Sequence, residues 1–360
     1  MKTHLTRLTE AMKTARTEAV LVTSEINQRY LTGFAFTDGY VVVTPTKSWL
    51  VTDFRYVEAA RAKVCAEEFE VVTPTGGMLP EIASLLRGAG VHSVAVEEAT
   101  LSLADFDRIR RALEGMTFLP EASAMIDGLR LYKDEEEIAK MQRAQDLADA
   151  AFTHILGYLS PERTEVEVAL ELEFFMRSRG AECVAFDTIA VSGRASSMPH
   201  GVPRPVRLEK GFLTMDYGAR VDGYCSDMTR TVVIGRADAE MKRLYETVLR
   251  AQTEAEAACR EGANCRVLDR IARDIIENAG YHGAFGHSLG HGVGMYIHES
   301  PRLSTGAPED SVLQRGHVVT FEPGIYLAGR YGCRIEDMVA ITPSGEVHNF
   351  THSPKELIEI

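Results

Sequence analysis

At 360 residues, 45% of them apolar, the chain can bury a large core and exceeds the usual length of one domain, so two domains are expected. Its 39 Lys and Arg against 52 Asp and Glu leave a formal charge of −13, which excludes the clustered basic surface that nucleic acid or an anionic membrane requires. Six cysteines without a CxxC pair read as free thiols in a reducing compartment, and neither a signal-type apolar centre at the start nor any run near the ~20 residues of a membrane span is present, so a cytoplasmic protein is expected.

Taken in chain order, β-rich runs at 19–23, 40–44, 48–52, 69–73 and 93–97 interleave with helical patterns near 6–15, 57–64, 79–86 and 103–113. That alternation predicts an α/β domain with a mixed sheet over residues 1–127. Gly76-Gly77 and Gly88-Ala89-Gly90 lack the spacing that cradles a pyrophosphate, so no nucleotide site is expected there.

A break falls between Asp127 and Asp134, and the second domain, 128–360, opens on a long helix. Asp134 with Glu137 three residues on forms a capping box, and Ile138, Met141, Gln145, Ala148, Phe152 and Ile155 follow one face. A second box, Thr164 with Glu167, precedes a helix whose apolar face is read as Val166, Leu170, Phe174 and Arg177, both helices packing on one sheet. Strand-like stretches at 184–192, 212–218 and 228–234, helices at 240–259 and 267–279, and a β-rich final third from 286 to 342 complete an α+β pattern.

The chemistry concentrates in this second domain. Asp216 and Asp227 flank Asp222-Gly223, a strong hairpin-turn dipeptide. With those two residues as the turn, paired numbers sum to 445 and position 216 faces 229. Asp227 then shares the face of Asp216 at a diagonal of roughly 7–8 Å, a separation that two carboxylates can close around cations. Two aspartates taken at random are more often simply solvated; the further ligand types in the same domain reverse that balance in favour of metal. Residues 286–298 hold three histidines, His287, His291 and His298, and four glycines, a pattern of backbone crowding around a site. Glu322 ends the apolar run Val318–Phe321, and Glu336 sits in the equally apolar Cys333–Val339. Burying either glutamate alone costs several kcal/mol, which a cation offsets.

The ordered set Asp216, Asp227, His291, Glu322 and Glu336, in the strings MDYGA, SDMTRT, HSLGHGVG, FEPGIY and RIEDM, resembles the pita-bread metallopeptidases, specifically the Xaa-Pro branch of aminopeptidase P and prolidase. Asn27–Phe34 and Thr52–Tyr56 resemble the creatinase-type amino-terminal domain, so the likeness covers almost the whole chain. It implies a creatinase-type α/β domain followed by a pita-bread α+β catalytic domain, and a metal-dependent exopeptidase that cuts the Xaa-Pro bond of dipeptides or peptide amino termini. By the same resemblance Asp216 chelates one metal, Asp227 and Glu336 bridge both, and His291 and Glu322 hold the other. A set of four carboxylates and one imidazole suits Mn(2+), with Co(2+), Zn(2+) or Fe(2+) as alternatives.

The implied nucleophile is hydroxide held between the two ions. Glu322 is expected to pass the proton to the leaving nitrogen, His298 and His200 to orient the peptide, and His287 to serve a more structural part. Arg334 is read as a tether for a bridging carboxylate or a neighbouring acid, Arg302 as the contact for a dipeptide's free carboxylate, and Asp38 as a contact for the substrate amine, reached in a partner subunit of an expected homodimer. The rival readings are a methionine or broader aminopeptidase, which lacks the front domain; creatinase, which shares the fold but not the ligands; and a catalytically silent binding scaffold.

Overall fold

A computed structural model describes residues 3–360, in two compact units dividing after Arg130. The first contains α1 (His4–Ala15), β1 (Val20–Val22), α2 (Glu25–Thr32), β2 (Gly39–Val43), β3 (Ser48–Thr52), α3 (Val57–Lys63), β4 (Glu70–Val72), α4 (Met78–Gly88), β5 (Ser93–Val96), α5 (Leu103–Ala112), β6 (Thr117–Leu119) and α6 (Ala122–Arg130). The sheet order is β4-β3-β2-β1-β5-β6, with β1 antiparallel to β2 and parallel to β5, the mixed sheet expected. Its core joins Leu21, Val42, Trp49 and Val51 to Ile82, Leu86 and Ile109; on α4 the buried set Leu79, Ile82, Ala83 and Leu86 recurs at helical spacing.

Three elements of this unit escape a periodicity reading: α2, β6 and α6. In α2 the buried residues include Asn27 and Gln28, polar side chains that stabilise the fold by hydrogen bonding. Asn27 donates to the buried Glu97 at 2.6 Å, and Gln28 donates to the Val22 and Gly39 carbonyls. An apolar-period search passes over such a helix.

The second unit begins with α7 (Glu135–Tyr158) and α8 (Glu165–Ser178), each opened by its capping box. The face predicted for α7 is the buried one. For α8 it is not: Val168, Ala169, Leu172 and Met176 are buried, while Leu170 and Phe174 are 58% and 70% exposed. Both faces of α8 carry apolar residues, so period alone selects neither, and the small Ala169 marks the side that packs.

The run read as one strand at 184–192 is two, β7 (Cys183–Val184) and β8 (Ile189–Ser192), in different sheets. Next come β9 (Gly211–Tyr217), β10 (Ala219–Val221), β11 (Tyr224–Cys225) and β12 (Met228–Ile234), a long hairpin whose rungs all sum to 445, Thr229 facing Asp216. At its tip Asp222 and Gly223 take φ of 49° and 86°, the left-handed pair that a two-residue turn demands. α9 (Ala239–Ala257) and α10 (Cys265–Asn278) follow. The last third holds β13 (Gly290–Gly292), β14 (Glu299–Leu303), β15 (Val318–Phe321), β16 (Gly324–Leu327), β17 (Tyr331–Arg334), β18 (Asp337–Ile341) and β19 (Val347–Asn349). Five of these strands form a sheet in the order β14-β13-β15-β18-β19. All six cysteines are free, and among the described residues no helix is long and apolar enough to cross a membrane.

Candidate functional site

Strands of three sheets and the loops beside them bring side chains to one cavity of about 330 Å³ in the second unit, lined by Asp216, Asp227, His291, Glu322 and Glu336 together with His200, His287, His298, Arg302 and Arg334. Asp216 stands on β9, and Asp227 just before β12. His291 is the centre of β13, where a register shift separates it from Gly292. A Cβ on Gly290 would lie 1.9 Å from the Thr320 carbonyl oxygen, and one on Gly292 would lie 2.1 Å from that of Ser300. Only glycines allow the neighbouring strands this close on either side of the histidine.

Glu322 follows β15, its N–H donating to the Leu289 carbonyl at 2.8 Å. Glu336 joins β17 to β18. Its own N–H donates to Thr229 O, and its carbonyl accepts from Arg230 at 2.7 Å. Arg230 is itself buried and paired with Asp337 at 2.8 Å, so the main chain behind Glu336 is fixed from both sides.

The polarity of His291 follows from its partners. Nδ1 lies 3.0 Å from the Gly292 carbonyl, which only accepts, so Nδ1 carries the proton. Burial lowers the ring's pKa to about 4, leaving neutral imidazole with an unprotonated Nε2. That nitrogen faces Asp227 at 3.6 Å and Glu322 at 3.5 Å. Three groups that can all accept, facing one another, need a proton or a cation between them.

The carboxylates report the same need. Asp227 and Glu336 are held well above the ordinary carboxylate range, first by burial and then by neighbouring acids, Glu336 itself for Asp227 and Glu322 for Glu336. Burial, with Asp216 reinforcing it, raises Glu322 to about 8. Asp216 Oδ1 is buried without a hydrogen-bond partner, and one ligand atom from each of Asp227, His291 and Glu336 falls within 4.8 Å of the others. Mutual repulsion, an orphaned oxygen and an imidazole lone pair fit divalent metal.

Arg334 organises the back of the cavity. Nη2 donates to Asp216 Oδ2 at 2.6 Å, Nη1 to Tyr326 Oη at 2.6 Å and to the Pro199 carbonyl at 3.3 Å, and Nε to Thr229 Oγ1 at 3.0 Å. The Pro199 contact anchors the loop that carries His200. Tyr326 Oη, accepting from the arginine, donates to His287 Nε2 at 3.0 Å, because His287 Nδ1 is committed to the Ser288 carbonyl at 2.9 Å. His287 is thereby neutral, burial lowering it to about 4. His298 crosses the His291 ring edge to face at 4.4 Å and is lowered by burial and by Arg302. Phe186, Ile189 and Ile297 supply an apolar wall.

Asp38 belongs to the amino-terminal unit, where Arg55 pairs with it at 3.1 Å and Thr37 donates to it at 2.9 Å. Sequence reasoning missed Thr229, Arg230 and Tyr326. Each lies inside a string already singled out, SDMTRT or FEPGIY, and a search for donor residues beside the acids would have found them.

A hard, carboxylate-rich pocket of this kind defines a divalent-metal site in a mixed α/β fold. The pattern described as metallopeptidase family M24 matches residues 139–343, and that of the creatinase/prolidase N-terminal domain matches residues 4–132. The chain is 41% identical over 342 residues to the peptidase YqhT of Bacillus subtilis (strain 168), covering 95% of each. Among solved structures it is similar to an Xaa-Pro dipeptidase from Bacillus anthracis, at a TM-score of 0.93 and 39% identity over 99% of each chain. It is also similar to an X-Pro aminopeptidase from Thermotoga maritima MSB8, at a TM-score of 0.90 and 34% identity over 98% of this chain and 100% of that one. The chain belongs to metallopeptidase family M24, and that membership implies divalent metal ions.

Proposed function

We propose that this protein is an Xaa-Pro metallopeptidase that hydrolyses the bond before proline in Xaa-Pro dipeptides or at peptide amino termini, with residues 1–127 as a creatinase-like domain and 128–360 as the catalytic one. The observation carrying the reading is the convergence of four carboxylates and a neutral imidazole on one cavity that also holds His200, His298 and Arg302. Asp216, Asp227, His291, Glu322 and Glu336 would hold two ions, manganese by preference, with cobalt, zinc or iron compatible with the same donors. Bound cations supply Lewis acidity for activating water and polarising the scissile carbonyl.

The chain's own groups account for the rest. Glu322, at the wall of the same cavity, is assigned the transfer of a proton from water to the leaving nitrogen. His298 and His200 orient the peptide and donate to its carbonyl oxygen. Phe186, Ile189 and Ile297 suit an apolar ring such as proline's, and Arg302 suits a terminal carboxylate. A cytoplasmic homodimer is the proposed state, with Asp38 reaching the substrate amine in the partner's site.

The test is hydrolysis of Ala-Pro, Ala-Pro-Ala and Met-Ala-Ser with manganese supplied. Turnover of the proline peptides alone supports the reading. Preference for Met-Ala-Ser reassigns the specificity, and ion binding without turnover of any of the three makes the protein a scaffold.

A further inference from the structure

A guanidinium carries only N–H groups, so Arg334 is the donor at every one of its contacts. Its Nε donates to Thr229 Oγ1 at 3.0 Å, and the one proton of that hydroxyl is left for Glu336 Oε2, 2.7 Å away. Arg334 thus dictates which way the hydroxyl points its hydrogen. Thr229 is fully buried, and its carbonyl accepts from Arg230 at 2.9 Å and from the Glu336 N–H at 3.2 Å. A β-branched side chain on so fixed a backbone has few rotamers. The other end of the fork, Nη2, grips Asp216 Oδ2 at 2.6 Å, and Asp216 is the cross-strand partner of Thr229. Arginine, threonine, glutamate and aspartate therefore form a closed frame across β9, β12 and the end of β17.

We propose that Thr229 is a positioning residue for the metal centre, its hydroxyl locking the Glu336 carboxylate in the orientation that metal binding needs and coupling it through Arg334 to Asp216. The inference rests on the two-ion reading above. A threonine that only filled space would serve as well with a methyl in place of the hydroxyl, and manganese affinity, rather than folding, is the readout that separates the two.

Full-length protein is stripped of metal with chelator and titrated with manganese by calorimetry, the retained ions being counted by elemental analysis after gel filtration. Wild type is expected to take up two ions. Thr229→Val keeps shape and branching without the hydroxyl; it should retain the wild-type circular dichroism yet bind manganese about 10–100-fold more weakly, while Thr229→Ser returns to near wild-type affinity. A valine variant that holds both ions as tightly as wild type overturns the proposal. If the valine variant does not fold, Thr229→Cys, similar in size and a weak donor, makes the same comparison: an intermediate loss supports the role and unchanged affinity rejects it. Should wild type itself bind no second ion, the two-ion reading fails, whatever Thr229 does.

Discussion

Arg334 and Asp216 meet at 2.6 Å, with side chains only 3% and 13% exposed, and the same guanidinium also reaches Thr229 and Tyr326. One cation thus supports a carboxylate, a hydroxyl and, through Tyr326, a histidine. Its planar fork does this by geometry as well as charge. Arg334→Lys keeps the charge and loses the fork. Manganese affinity measured by calorimetry is expected to drop about 10–100-fold; a lysine variant with wild-type affinity would reduce the role of Arg334 to simple charge balance.

Removing the ions should abolish hydrolysis of Ala-Pro, and added manganese or cobalt should restore it. Activity that survives exhaustive chelation, verified by elemental analysis, would remove the metal mechanism.

Asp227→Asn and Glu336→Gln should each lose metal and turnover together. Each also relieves repulsion among buried acids, so the metal-free variants should unfold at a higher temperature than metal-free wild type, by about 2–4 °C per kcal/mol relieved. Calorimetric scans of the stripped proteins decide this, and a lower midpoint would mean that the acids are not repelling one another.

The stability of the metal-free protein should depend on pH with a definite sign. Glu322 has a folded pKa of about 8 against an ordinary 4.5, so the folded state binds more protons and the group's stabilisation is whole below pH 4.5 and lost as pH rises to 8. Metal replaces those protons. The rise in melting temperature caused by a fixed manganese concentration should therefore grow from pH 5.5 to pH 8, with proton release visible as buffer-dependent binding enthalpy. A gain that shrinks over that interval contradicts the assignment.

His298 and Arg302 separate chemistry from recognition. His298→Ala should lower kcat by about 10²-fold or more while elemental analysis still finds two ions. Arg302→Met should raise KM for Ala-Pro about tenfold or more, the worth of one charged hydrogen bond, and leave Ala-Pro-Ala nearly unchanged. Equal effects on both peptides would take Arg302 away from the terminal carboxylate.

What the sequence made legible follows local chemistry. The Asp222-Gly223 turn set the hairpin register, and with it the facing of Asp216 and Thr229, because a two-residue turn admits one pairing. Both capping boxes were readable for the same reason: donor and acceptor lie three residues apart. The α8 face was not, since apolar residues occur on both sides and only tertiary contact chooses between them. Helix α2 was hidden by its buried amides, and the β7–β8 break by a continuous run of strand-forming residues. Around the metal site the acids stood out as charges inside apolar strings. Thr229 and Tyr326 did not, because a hydroxyl's importance depends on which donor approaches it, and Arg334 reaches Thr229 from 105 positions away.

The Asp222-Gly223 hairpin carries two of the five proposed ligands, Asp216 and Asp227, as one contiguous piece, while His291, Glu322 and Glu336 follow Asp227 by 64 to 109 residues. The hairpin alone would offer ions only two carboxylates. If the five residues act as proposed, the complete ligand set exists only once the last third of the chain has been made, and a chain cut short before Glu336 should bind manganese weakly.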